Sequence, residues 1–377
     1  MKDYKKLLLA GVIAGICSGS AVAADDSSTT EAKEGVRFAV PIGPFYDPIF
    51  DLAGSVIPTM LYETTPGAKT SSTKLFGIYG TNGNWVVRAE SNNYFGANSD
   101  WLVTGMGNYT YAKLDVMDFM GLSGSPTVEV EQDTLIIEGT VQYQIFEDAY
   151  FGPAFSYTET EFTRDDPNPF GSINMITDKT ITSYGAVFTF DNRDNEQTPT
   201  SGYFAKIQAN QLEVENTNGA VIPDFVPVMG GFSLNGDEKY ANVKADFRTY
   251  APIGDDTTFA FRAKAHWNDD EAQTTVASLD SVAYGFTMEI AGRSAIGTDL
   301  QLRHWLTEKV GVVGTVGLAK AIDVNETTGD DSVHYAVGGG LRYMLVPEDK
   351  LSMRLDVTYN DQEEDNVLVF FNVSEAF

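Results

Sequence analysis

Cysteine is almost missing: Cys17 is the only one among 377 residues. It lies within the first 24 residues, in an AGIC stretch that has Ile16 where a lipoprotein signal wants a small residue. Without that segment the chain has no disulfide, no thiol nucleophile and no thiolate metal site. Histidine is scarce as well, with only His266, His304 and His334, which leaves acid–base catalysis few residues to use. Basic residues are few: 25 Lys+Arg face 53 Asp+Glu, a net charge of −28 that makes nucleic acid a poor partner. Beyond residue 24 no apolar run approaches the roughly 18–20 residues of a membrane helix. Taken alone, that points to a soluble secreted protein. Yet 43% of the chain is apolar and 12% aromatic, which excludes simple disorder.

The first residues read as an export signal: Lys2, Lys5 and Lys6, an apolar run over 7–16, then small residues up to Ala21, Val22 and Ala23. Cleavage after Ala23 leaves 354 of the 377 residues, and loss of three Lys and one Asp moves the charge from −28 to −30. Residues 24–35 are polar and are expected to form a short disordered periplasmic tail.

From residue 36 onward the chain alternates with period two. Leu351, Met353, Leu355, Val357 and Tyr359 interleave with Ser352, Arg354, Asp356 and Thr358, giving one apolar and one polar face. The stretch before repeats the device with Val333, Tyr335, Val337, Leu341, Tyr343 and Leu345, and the last one, NVLVFFNVSEAF, ends on Phe377. Further strands are expected near 309–322, 295–306, 255–267, 237–251, 202–216, 179–190, 149–161, 133–146, 100–114, 84–95 and 73–81, with two more in 36–63. At roughly 9–11 residues per membrane crossing, the length accommodates about sixteen strands. Connections at 96–99, 146–148, 252–256, 307–309 and 347–350 are short, whereas those at 115–132, 162–178, 217–236 and 268–294 are long. Short periplasmic turns and long outer loops belong to a transmembrane barrel. The fold class is therefore all-β: a single antiparallel outer-membrane β-barrel of about sixteen strands over residues 36–377. The other arrangement of such strands is a soluble two-sheet sandwich.

Residues 191–203 read DNRDNEQTPTSGY. Asp191, Arg193, Asp194, Pro199, Thr200, Gly202 and Tyr203 resemble, in order and spacing, the Asp-x-Arg-Asp … Pro-Thr-x-Gly-Tyr turn of the bacterial surface antigen family, the outer-membrane assembly and translocation barrels. Pro199 and Gly202 suit a turn in their own right, and the carboxylates and Arg193 are able to tie it by charge-assisted hydrogen bonds. The tail FFNVSEAF, with Glu375 two residues before Phe377, and the segment 297–321 resemble the same family. The resemblance implies an outer-membrane barrel of that type with a role in envelope biogenesis or protein translocation. Members that insert or secrete proteins carry periplasmic modules ahead of the barrel, and residues 24–35 are too short to hold one. The family's sixth outer loop carries a Val/Leu-Arg-Gly-Phe/Tyr tip whose Arg pairs with an acid on the inner wall. Here the match is Ala283, Tyr284, Gly285 and Phe286, and the partner strand offers Gln301 and Arg303. Both sides of that pair are neutralised, so a weakly anchored loop is expected, with Arg293 as a substitute cation.

With the apolar faces toward lipid, the inward charges are Arg88, Lys206, Lys244, Arg248, Arg262, Lys264, Arg303, Arg342 and Arg354 against Glu90, Glu138, Asp246, Asp299 and Asp356. Nine cations against five anions leave the lumen positive while the chain is acidic, so the acids crowd the loops, as at 268–271, 329–331 and 361–365. Such charges either form a filling network or line an anion-leaning pore. A catalytic reading rests on His266 beside Asp269 and Asp270 at the outer rim. The GLSGS at 121–125 lacks the final Gly of a nucleophile elbow, and 166–171 is a poor calcium loop. The sequence thus leads to a non-enzymatic, monomeric outer-membrane protein without cofactor or metal. Its partners are the lipid bilayer and other envelope proteins, not nucleic acid. Its role is a reduced one in outer-membrane assembly or translocation; the alternatives are a passive channel and, more remotely, a rim-active hydrolase.

Overall fold

A computed structural model of the chain describes residues 35–47, 49–117, 127–163, 178–217, 221–222, 232–233, 236–272, 277–288, 290–324, 331–362, 366–375 and 377. The export signal, residues 24–34, and the stretches 121–125 and 166–171 lie outside them, as do Glu363 and Glu364.

Sixteen antiparallel strands close into a barrel. The first two are each broken by a proline. β1 comprises Arg37–Ala39 and Ile42–Asp47 around Pro41, and β2 comprises Asp51–Val56 and Thr59–Tyr62 around Pro58. Proline has no N–H to give a ladder, but its carbonyl still accepts. Ile57 N–H donates to Pro41 O (3.0 Å) and Leu75 N–H to Pro58 O (2.8 Å), so pairing resumes after each break. Next come β3 (Ser71–Gly80), β4 (Trp85–Phe95), β5 (Trp101–Met117), β6 (Thr127–Phe146), β7 (Ala149–Thr163), β8 (Asp178–Asp191), β9 (Gly202–Thr217) and β10 (Gly236–Pro252). The rest are β11 (Thr257–Asn268), β12 (Ser294–Trp305), β13 (Val310–Ile322), β14 (His334–Val346), β15 (Leu351–Asn360) and β16 (Val367–Val373). Each pairs with its sequence neighbour. Two small ladders, Val221–Ile222 with Phe232–Ser233 and Ala277–Ser278 with Ala291–Gly292, decorate the fifth and sixth outer loops.

Alternation places the side chains. On β12 Ile296, Leu300 and Leu302 are exposed, while Asp299, Gln301 and Arg303 between them are buried. Across the ladders Leu300 faces Val316, and Val316 faces Val337, a row of exposed apolar groups suited only to lipid. Exposed Phe95, Trp101, Tyr143, Phe146, Tyr203 and Tyr343 girdle the end that carries the short turns. Tyr79, Trp267, Tyr335 and Tyr359 do the same at the other end. No helix among the described residues is long and apolar enough to cross a membrane; the crossing is made by strands.

Two expectations are corrected. The loop expected at 115–132 is mostly strand, since β5 runs to Met117 and β6 starts at Thr127. The ladder continues past the expected strand ends, with Glu131 opposite Lys113 and Asp133 opposite Tyr111. Leu351, Met353 and Leu355 do not simply face lipid. Leu351 is buried in a cluster with Ile57, Leu61, Phe371 and Val373, against which Met353 and Leu355 pack.

Candidate functional site

That cluster lies at the seam. Thr59 sits opposite Lys74, and Lys74 opposite Glu90, which lines the lumen, so Ile57 and Leu61 share the inner face with Thr59. Phe371 and Val373 sit opposite Leu355 and Met353, the outer parity of β15. Their meeting means that the outer face of β15 and β16 lies against the inner face of β1 and β2. Gly43 makes this possible, because a methyl group there would overlap the Phe371 ring. The backbone contribution is correspondingly small: β1 and β16 pair only at Tyr46 and Val369. By contrast, β15 and β16 pair continuously from Met353↔Val373 to Tyr359↔Val367. The seam closes mainly by overlap. On its inner side Phe370 stands between Tyr284 (5.0 Å between ring centres) and Phe45 (6.2 Å).

Tyr284 brings in the sixth loop, which is firmly held, contrary to expectation. Tyr284 N–H donates to Asp299 Oδ1 (2.9 Å) and its hydroxyl to Asp356 Oδ2 (3.0 Å). Arg354 lies over its ring at 5.2 Å. Gly285, at φ +90°, packs between Ala336 and Thr358, and its carbonyl accepts from Asn360 Nδ2 (2.9 Å). Thr287 donates through N–H and hydroxyl to Gln362 Oε1. Phe286, Val282, Ala283 and Leu279 form an apolar core with Ala295, Ala319, Ala321 and Ala336 of the wall. The wall partners are thus Asp299 and Asp356, not Gln301 and Arg303. Gln301 Oε1 and Nε2 and Arg303 Nε and Nη2 are buried without a hydrogen-bond partner, while the Arg303 guanidinium lies 5.5 Å from the Tyr250 ring. Nor does Arg293 substitute: it pairs with Asp323 in the outer loops (2.6 Å).

At the opposite end lies the 191–203 turn. Asp191 takes Arg193 with both oxygens (2.8 and 2.6 Å). Arg193 and Arg248 each lie 4.8 Å from the Phe204 ring. Asp194 accepts from Thr200 N–H and Oγ1 (2.8 and 2.6 Å), Ser201 N–H (3.0 Å) and Lys350 Nζ (3.0 Å). Burial works to raise the Asp194 carboxyl, but those four donors outweigh it and hold it at about 2. Glu196, bonded to the Tyr94 hydroxyl, is pushed up by burial and by Asp191. Asn195 Nδ2 reaches Asp349 O (2.9 Å), and Thr198 Oγ1 reaches Ser352 Oγ (3.1 Å). In a ring of sixteen strands β15 is nearly opposite β8, so the turn folds across the periplasmic mouth. Gly202 and Tyr203 begin β9, with Tyr203 exposed in the girdle, and Pro199 and Thr200 complete the turn.

The lumen charges form pairs and networks. Asp246 holds Arg248 (2.6 Å) and Arg262 (3.2 Å), and Arg88 meets Glu90. Asp356 holds Arg342 (2.5 Å) and Arg354 (3.4 Å), and Lys264 Nζ donates to Ser281 O in the sixth loop. Lys206 lines two cavities of about 160 and 260 Å³, and Lys244 faces the lumen opposite Gln208 and His266. Phe377 is not in the last strand, which ends at Val373; it is buried in the lumen against Tyr250 and Ala260.

A closed sixteen-stranded barrel with an apolar outer band, aromatic girdles and a charged lumen defines an integral membrane barrel. Residues 125–287 match the family model of the Omp85 superfamily domain, and the barrel is that of a Gram-negative outer-membrane protein. Solved structures with the same fold include BamA from Haemophilus ducreyi lacking POTRA domains 1–3, at 14% identity and a TM-score of 0.50, covering 91% of this chain and 75% of that one. CdiB from Acinetobacter baumannii has 9% identity and a TM-score of 0.55 over 91% of this chain. CdiB from Escherichia coli has 13% and 0.54 over 92%. The chain spans 60% and 63% of those two CdiB chains. No curated protein sequence matches it.

Proposed function

We propose that this barrel serves outer-membrane biogenesis, promoting the assembly or translocation of other envelope proteins. The observation that carries this reading is the seam: one backbone pair, Tyr46 with Val369, where every other junction between neighbouring strands pairs seven residues or more. A wall that opens between two strands gives a client strand access to the bilayer, and a fully zipped barrel does not. The passive, anion-leaning channel has less support. The turn at 191–203 and the sixth loop both fold into the lumen, and its cations are largely engaged by carboxylates and carbonyls. Catalysis at His266 has less still. Its Nε2 is buried without a hydrogen-bond partner, and Asp269 is occupied by the N–H groups of Ala241 and Glu271.

The test is reconstitution in liposomes with an unfolded β-barrel substrate. The protein should accelerate substrate folding, and oxidising a Tyr46→Cys/Val369→Cys pair should abolish the acceleration until reductant is added. Acceleration that survives the cross-link, or none from the unmodified protein, contradicts the reading.

A further inference from the structure

The segment after β16 leaves the wall. Ser374 has φ +68°, a left-handed conformation uncommon outside glycine, and it redirects the chain inward. Its N–H donates to Ser352 O (2.7 Å) and its hydroxyl to Gln197 Oε1 (2.5 Å), while Lys74 Nζ donates to that hydroxyl (2.8 Å). Glu375 N–H donates to Gln197 O (3.0 Å). The Glu375 carboxylate receives Arg342 Nε on both oxygens (3.0 and 2.9 Å), with both side chains 1% exposed. Phe377 then fills a pocket made by Tyr250 and Ala260, with the Arg262 guanidinium 5.9 Å from its ring centre. That pocket belongs to β10 and β11, well round the wall from β16.

Gln197 is the common element. It sits in the turn that covers the periplasmic mouth, and beneath that turn lies the cavity of about 260 Å³ bounded by Thr189, Arg193, Glu196, Lys206 and Arg248. The turn is fastened to the far wall at Asp349, Lys350 and Ser352, and its centre is fastened to residues 374–375. Those residues are in turn held by Arg342 and by the buried ring of Phe377. A strand end that served only to finish the sheet would need neither the inward bend nor a pocket on another wall.

We propose that Ser374, Glu375 and Phe377 form an internal pin that holds the 192–201 turn shut across the periplasmic mouth, and that the lumen opens on that side when Phe377 leaves its pocket. All its partners lie within this chain, so the pin stands or falls independently of any assembly activity.

Thiol accessibility tests it. In a Cys17→Ser background, Thr189→Cys supplies the only thiol, at a cavity-lining position that is 4% exposed and whose hydroxyl has no hydrogen-bond partner. The refolded protein in detergent is treated with a membrane-impermeant maleimide, folding being verified by heat-modifiable electrophoretic mobility. Modification should be slow in this parent and about tenfold faster or more when Phe377→Ala is added, because the local opening is no longer opposed. Phe377→Leu, which refills the pocket, should stay near the parent rate. Tyr250→Ala, which empties the pocket from the wall side, should reproduce the acceleration even if Phe377→Ala fails to fold. Folded pocket variants that react at the parent rate, or a parent that reacts as fast as they do, would overturn the pin.

Discussion

Asp194 shows how a single carboxylate organises a turn. Four donors converge on it, and its folded value of about 2 lies below the ordinary 3.8. A depressed carboxyl stabilises the fold fully above its unfolded value and ceases to do so as pH falls through the folded one. The stability difference between the protein and Asp194→Asn, measured by urea unfolding, should therefore be constant above about pH 4 and shrink toward zero near pH 2. A difference that grows on acidification contradicts the assignment. Contacts of this kind were legible in the sequence because they are local: Asp191 and Arg193 are two residues apart, and Thr200 is six from Asp194. Tyr284 was legible only as a departure from a pattern. Its partner Asp356 lies 72 residues away, and no local signal distinguishes that carboxylate from the other inward acids. Gln301 and Arg303 were misjudged for the same reason, since Asp299, one inward step along the same strand, receives the loop instead.

Among the elements, the regular strands can be read from alternation because burial in a barrel wall has period two. In the row of Leu300, Val316 and Val337 the pattern has a direct energetic consequence. Val316→Arg places a charge in lipid near mid-strand and should cost about 2–4 kcal/mol in vesicle unfolding titrations. Leu351→Ala, despite sharing the outward parity of its strand, should behave as a core truncation and cost about 2–5 kcal/mol. A cost for Leu351→Ala no larger than that of an exposed lipid-facing truncation would mean that β15 and β16 do not overlap β1 and β2. Alternation alone cannot reveal that overlap, because a residue facing outward from its own strand can still lie inside a neighbouring one. Nor did it reveal the outer ends of β5 and β6, where Glu131 pairs with Lys113 in the ladder but gives no apolar signal.

On the scale of the whole molecule, the first and last strands are brought together by side chains more than by a sheet ladder. Phe371 lies under Gly43, Phe370 bridges Tyr284 and Phe45, and residues 374–375 grip the turn that spans the mouth. The lumen contents, the sixth loop and the seam therefore touch one another. The proposed role in protein biogenesis requires that the weakest junction be this one. Amide hydrogen exchange of the folded protein in bilayers tests that directly, because exchange reports local opening. Peptides covering 42–46 and 367–372 should exchange on the order of a hundredfold faster than peptides covering 298–303 and 312–317, whose strands are paired on both sides. Equal protection of the two sets would show a zipped seam and contradict the account.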